Sequence, residues 1–126
     1  DLSNMSYADF CMAYSDIIGK SCRKLKDNRF AVFVVGDIRD SKGAYRDFLG
    51  LTKRLFIKNG LYLYNESILL NQYSTALMRA GGAFSASRKV TKVHQNVLVF
   101  YKGDMKKIKE TFKNEFKKAP LERFLT

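Results

Sequence analysis

The stretch FAVFVVGDIRDSKG, residues 30–43, limits what this chain can fold into more than any other. Strands that alternate apolar and polar residues are covered on one face. A near-continuous apolar run such as AVFVV predicts a strand buried on both, as at the centre of a largely parallel sheet. Phe30 to Ile38 is therefore read as a strand of an α/β fold. The run closes on Gly36 and Asp37, which puts an acid at the carboxyl end of a strand, where open α/β sheets meet their ligands. Asp37 is a candidate acid facing a substrate or cofactor crevice, together with Arg39. The plain alternative is a carboxylate that caps a turn or pairs with Arg39. Gly36 lets the backbone turn or approach another group closely.

The flanking segments supply helices. Ser6 with Asp9 three places on resembles a capping box, with Met5 and Phe10 at the staple positions, and predicts a helix from about Ser6 to Asp27. Phe10, Tyr14, Ile17, Cys22 and Leu25 give it an apolar stripe. Ser41 is a candidate cap for a second helix running to about Asn59, with Tyr45, Phe48, Leu49, Thr52, Leu55 and Phe56 inward and Gly60 as its stop. Leu61 to Leu70 reads as a strand. Periodicity is absent from Asn71 to Gln95, so this segment is expected to be a long loop, and loops of that length are usually functional or mobile. Asn96 to Tyr101 is a last strand. Met105 to about Lys118 would be a basic amphipathic helix with Ile108, Phe112 and Phe116 on one side. A helix between the first two strands implies a parallel pair with a right-handed crossover, and the third strand is free to be antiparallel.

With 126 residues, 46% of them hydrophobic, the chain can bury one core but hardly two. It has no stretch of about 18 uncharged apolar residues and no signal-peptide pattern, so a soluble, intracellular (cytoplasmic) protein with no membrane span is expected. Cys11 and Cys22 fall in one predicted helix, where a rise of about 1.5 Å per residue sets them roughly 16 Å apart, beyond disulfide reach. Both are expected to be reduced, small core residues. A metal site is not expected, since His94 is the sole histidine and no Cys-x-x-Cys pair occurs.

The 23 Lys and Arg against 12 Asp and Glu give a net charge of +11, which favours a polyanionic partner, nucleic acid before an anionic membrane surface. From Asn71 to Val93 there are four basic residues, Arg79, Arg88, Lys89 and Lys92, and no acid. From Lys102 onward eight basic residues are mixed with four acidic ones, as on a solvated helix face.

Four blocks, DLSNMSYADF, LKDNRFAVFVVGDIRDSKGAYRDF, LYNESILL and RAGGAFSASRKVTKVHQNVLVFYKGD, resemble in the same order the C-terminal half of phage and bacterial S-adenosylmethionine-dependent DNA methyltransferases of the amino-methylating type (N6-adenine or N4-cytosine). The resemblance spans residues 1 to about 107 as a methyltransferase-like half-domain and leaves 108–126 as a basic helical tail. It implies the C-terminal half of a Rossmann-like fold, whose seven-stranded sheet has an antiparallel last strand inserted beside its predecessors. The three strands here would be the fifth, sixth and seventh.

The family's glycine-rich cofactor loop and its Pro-Pro-Tyr motif are not in this sequence, whose one proline is Pro120. In the relatives the second motif falls shortly before the block that matches Asp1. The chain is thus expected to begin downstream of the chemistry and to be inactive alone, with no catalytic residue assigned. S-adenosylmethionine is the cofactor implied for the parent protein, with binding by this chain alone not expected. Without a fourth strand the edge at Phe30 to Val35 would stand open. A missing N-terminal half, a partner chain or a second copy is expected to cover it.

In the resembling enzymes the segment after the sixth strand faces DNA. Arg79, Gly81, Gly82, Ser85, Ser87, Arg88, Lys89 and Lys92 are accordingly candidates for phosphate contact, weighed against a solvated loop. His94 reads as a hydrogen-bonded edge histidine before a catalytic base, and Tyr62, Tyr64 and Tyr101 as core or interface rings. The alternative from another class is a non-catalytic, phage-borne module derived from a methyltransferase, which binds nucleic acid or inhibits a host nucleic-acid enzyme. Base and recognition sequence are not written in these residues.

Overall fold

In the computed structural model, which describes residues 5–71 and 73–113, the chain opens on helix α1, Tyr7–Lys24. Ser6 caps it, its hydroxyl accepting the N–H of Asp9 at 3.2 Å. Its inward residues are Tyr14, Ile18, Cys22 and Leu25. Ile17, expected in the stripe, is 46% exposed, because Ile18 is the residue that falls in line with Tyr14 and Cys22. At the other end the Lys102 ammonium donates to the carbonyls of Cys22 and Leu25, both at 2.7 Å, placing a cation on the negative end of the helix dipole.

Three strands follow: β1, Arg29–Val35; β2, Tyr62–Leu70; and β3, His94–Lys102. The order across the sheet is β1-β3-β2, and both pairings are antiparallel. The expected parallel pairing of the first two strands is therefore corrected. They run in the same sense, as their helical connection requires, but β3 lies between them and takes the hydrogen bonds of both. β1 is in turn an edge strand rather than a central one. Its alternate residues Ala31, Phe33 and Val35 face the helices, while Val32 and Val34 remain 57% and 52% exposed on the other face. The segment is apolar on both faces, as the sequence says, but the described residues cover only one.

The core lies between the sheet and the pair of helices α1 and α2, where α2 spans Phe48–Lys58. Phe56 stacks on Phe100 with centroids 4.1 Å apart, and Phe33 meets Phe56 edge-on at 4.7 Å. Burying a side chain of this size stabilises the fold by about 1.5–3 kcal/mol. Tyr14 adds the polar link to α2. Because the single proton of the Thr52 hydroxyl goes to the Phe48 carbonyl at 2.9 Å, the Tyr14 hydroxyl is the donor in the 2.9 Å bond to Thr52. Gly60, with φ +87°, turns the chain out of α2, and Leu61 drops into the core before β2 begins.

Two further expectations are revised. Residues 73–87 form a helix, α3 (Tyr73–Ser87), not a loop. Its Ala residues favour helix, and among its described side chains Ala76 is buried while Met78 is 87% exposed and Phe84 is exposed too, so its large described apolar residues do not mark a buried face. The expected basic helix from Met105 is interrupted. A 3-10 turn, Met105–Lys107, leads into one α turn, α4 (Ile108–Thr111), and Phe112 leaves helical geometry with its ring 5.6 Å from Phe30 and 6.5 Å from Tyr101. Phe116 and the rest of the tail lie outside the described residues. Among the described residues no helix is long and apolar enough to cross a membrane.

Candidate nucleic-acid interface

The strands β1 and β2 end, and β3 begins, on the same side of the sheet. There the chain leaving β1 folds into a small hairpin before α2. Arg39 and Tyr45 pair as a bridge, Arg46 N–H donates to Ile38 O at 2.9 Å, and Asp40 N–H donates to Ala44 O at 2.8 Å. The Asp40 carboxylate accepts the amides of Lys42 and Ala44 at 2.9 and 3.0 Å, closing the tip as an Asx-type turn. Gly43 takes φ +93°, a conformation that suits glycine. Ser41 thus belongs to a turn, and the expected helix start there moves to Asp47. The local carboxylate bonds of Asp40 outcompete a helical turn.

The start of α2 explains the acid at the end of β1. Asp47 accepts the N–H of Gly50 at 3.1 Å, and Asp37 accepts the N–H of Leu49 at 2.9 Å. Two carboxylates satisfy amides that the first helical turn leaves unpaired, and both complement the positive end of its dipole. Beside them the Arg46 guanidinium lies 4.0 Å over the Tyr7 ring. The Tyr7 phenol is held above its ordinary pKa, chiefly by burial and then by its hydrogen bond with Cys11.

Opposite the hairpin, α3 ends at Arg88, in the left-handed region with φ +58°, and the chain runs extended to β3. Its guanidinium donates to the carbonyls of Phe84 and Ser85 at 3.0 and 3.1 Å, which closes the helix end. Ser87 donates to Ala83 O at 3.1 Å.

Hairpin and segment enclose an open cleft of about 1030 Å³. It brings together six of the sequence candidates, Asp37, Arg39, Ser87, Arg88, Lys89 and Lys92. Arg79, Gly81, Gly82 and Ser85 sit on α3, outside its lining. Within a helix interior the amides of Gly81 and Gly82 are not free to approach phosphates. Sequence reasoning missed Lys42, Gly43, Tyr45 and the place of His94. The Asp-Ser-Lys-Gly tip carried the turn signal, masked by reading Ser41 as a helix cap.

Five basic side chains, Arg39, Lys42, Arg88, Lys89 and Lys92, line the cleft with one carboxylate, Asp37, whose Oδ1 is already hydrogen-bonded. Among the described residues none of the five is in an ion pair. Arg39 donates to Gly43 O at 2.7 Å and lies 4.0 Å over the Tyr45 ring, while Lys92 approaches the same ring at 5.7 Å. Such a surface suits an extended polyanion. With five cations to one carboxylate, the lining favours an anion over the sulfonium of S-adenosylmethionine. Among the described residues no cluster of three or more His, Cys, Asp or Glu side chains could hold a metal ion.

The architecture is an α/β fold in which an antiparallel last strand is inserted between two strands of common sense. No family model and no curated protein matches the sequence. Among solved structures, the chain is similar to a candidate DNA modification methylase from Thermus thermophilus, with a TM-score of 0.60 and 15% identity over 94% of this chain. The chain spans 47% of the length of that protein, and at this identity the likeness is one of fold.

Proposed function

We propose that this chain is the C-terminal part of the catalytic domain of an S-adenosylmethionine-dependent DNA methyltransferase that methylates an exocyclic base amine. The observation that carries the reading is the fold similarity to a candidate DNA modification methylase over 94% of this chain, together with an acid-poor basic cleft at the carboxyl ends of β1 and β2. In this role the chain supplies a DNA-contacting surface centred on Lys89 and Lys92, with Arg79, Gly81, Gly82, Ser85 and Ser87 on the helix that leads into it and Arg88 closing the end of that helix beside them. Asp37 and Arg39 border the substrate crevice.

Amine methylation requires a flipped base whose amine is held by acceptor groups in line with the methyl donor. The motifs that supply those groups in the resembling enzymes are not in this sequence, and the cation-lined cleft favours an anion over the cofactor's sulfonium. The cofactor site therefore belongs to a part of the domain outside these residues. Among the described residues nothing covers the sheet face at Val32 and Val34 or pairs with the outer edge of β1, which supports the same division, since both offer surface to a neighbouring half-domain.

A methyl-transfer assay on duplex DNA tests the proposal, run on the 126 residues and on the product of the whole reading frame that contains them. The expected result is no transfer by the former and transfer to an exocyclic amine by the latter. DNA binding by the whole product without transfer would favour the non-catalytic module, and transfer by the 126 residues alone would overturn the division of labour.

A further inference from the structure

Connections between a strand and a helix in α/β units usually take about 2–6 residues, whereas here residues 36–47 build a braced hairpin. The bracing is internal. The Asp40 carboxylate is engaged by the tip amides, and the Arg39 guanidinium by Gly43 O and the Tyr45 ring, so both act as positioning residues. Lys42 is left at the tip, exposed, and without an ion pair among the described residues. Gly43 lacks a side chain where Lys89 of the opposite wall comes close: a Cβ there would stand 3.7 Å from Lys89 Cε and 3.9 Å from its ammonium. Cations of the two walls thus converge on one channel.

We propose that this hairpin is a second phosphate-contacting arm. Lys42 from its tip, with Lys89 and Lys92 from the facing segment, grips one stretch of DNA backbone from two sides. The inference rests on the DNA-contacting role proposed above. A repeating anion is the ligand that fits, because the cleft is several times larger than one phosphate needs and its lysines lie on both walls. Lysine ammonium groups act on phosphate as point charges, so the arm positions a strand and does not read its sequence.

The test is a salt titration of binding to a fluorescent duplex by the whole chain and its Lys42→Ala, Lys42→Arg and Lys89→Ala/Lys92→Ala variants, with circular dichroism as a fold control. Lys42→Ala should reduce the slope of log K against log salt by about 0.9, the value of one lost duplex phosphate contact, and Lys42→Arg should restore it. An unchanged slope in Lys42→Ala alongside a reduced one in the double variant overturns the second arm and leaves the DNA-contacting role standing. Absence of salt-dependent binding by the unaltered chain overturns both.

Discussion

Asp37 Oδ1 accepts the backbone N–H of Leu49 at 2.9 Å, tying the end of β1 to the first turn of α2. Replacing Asp37 with Ala removes that cap and should cost about 0.5–2 kcal/mol of stability, read as a lower urea midpoint. Asp37→Asn keeps an acceptor oxygen and should lose less. Equal stability of Asp37→Ala and the unaltered protein would deny the capping role.

Arg88 and its neighbours are expected to separate in their effects. The Arg88 guanidinium is engaged by Phe84 O and Ser85 O, whereas Lys89 and Lys92 are not in ion pairs among the described residues. Lys89→Ala with Lys92→Ala should flatten the salt dependence of DNA binding by about two phosphate contacts. Arg88→Ala should act mainly on stability, by about 1 kcal/mol, as a lost helix-end contact does. A steeper loss of DNA affinity from Arg88→Ala than from the lysine pair would reverse this assignment.

Gly81 and Gly82 lie inside α3, and a Cβ at either position would meet nothing within 4 Å. Ala at each site should therefore stabilise the protein by roughly 0.5–1 kcal/mol through helix propensity alone. Thermal unfolding would register the gain. A loss of DNA affinity in the same variants would show that the glycines serve close approach of a strand to the helix.

Burial raises the thiol pKa of Cys22, against a smaller lowering by Lys102 and Arg23, and burial also raises the phenol of Tyr14. Both groups are held protonated by the fold, so their contribution is fully present below the unfolded values of about 8.5 and 10 and is lost as pH rises through the folded ones. Stability should be level across neutral pH and fall in alkali. Cys22→Ala should be less stable throughout but should lose the earlier part of the alkaline fall. An unfolding midpoint that stays constant into alkali would contradict this.

Local chemistry suffices for the elements that a single segment can specify. Ser6 marks the start of α1, the apolar run of residues 30–35 can only be a strand, and Gly60 ends α2. Each depends on chemistry within a few residues: a hydroxyl near free amides, β-branched side chains, a positive φ. The resemblance added the antiparallel last strand.

Features that depend on distant partners emerge only when the chain packs. That β3 inserts between β1 and β2 follows from strand pairing between segments far apart in the chain, which sets Glu66 opposite Leu98 and Arg29 opposite Lys102. α3 was hidden because Met78 and Phe84, large apolar residues on it, are exposed rather than aligned on a buried face. The cleft was hidden because charge along a sequence gives no direction in space. Lys42 and Lys89 share one channel only because Asp40 folds the hairpin back and Arg88 turns the chain out of α3 toward it.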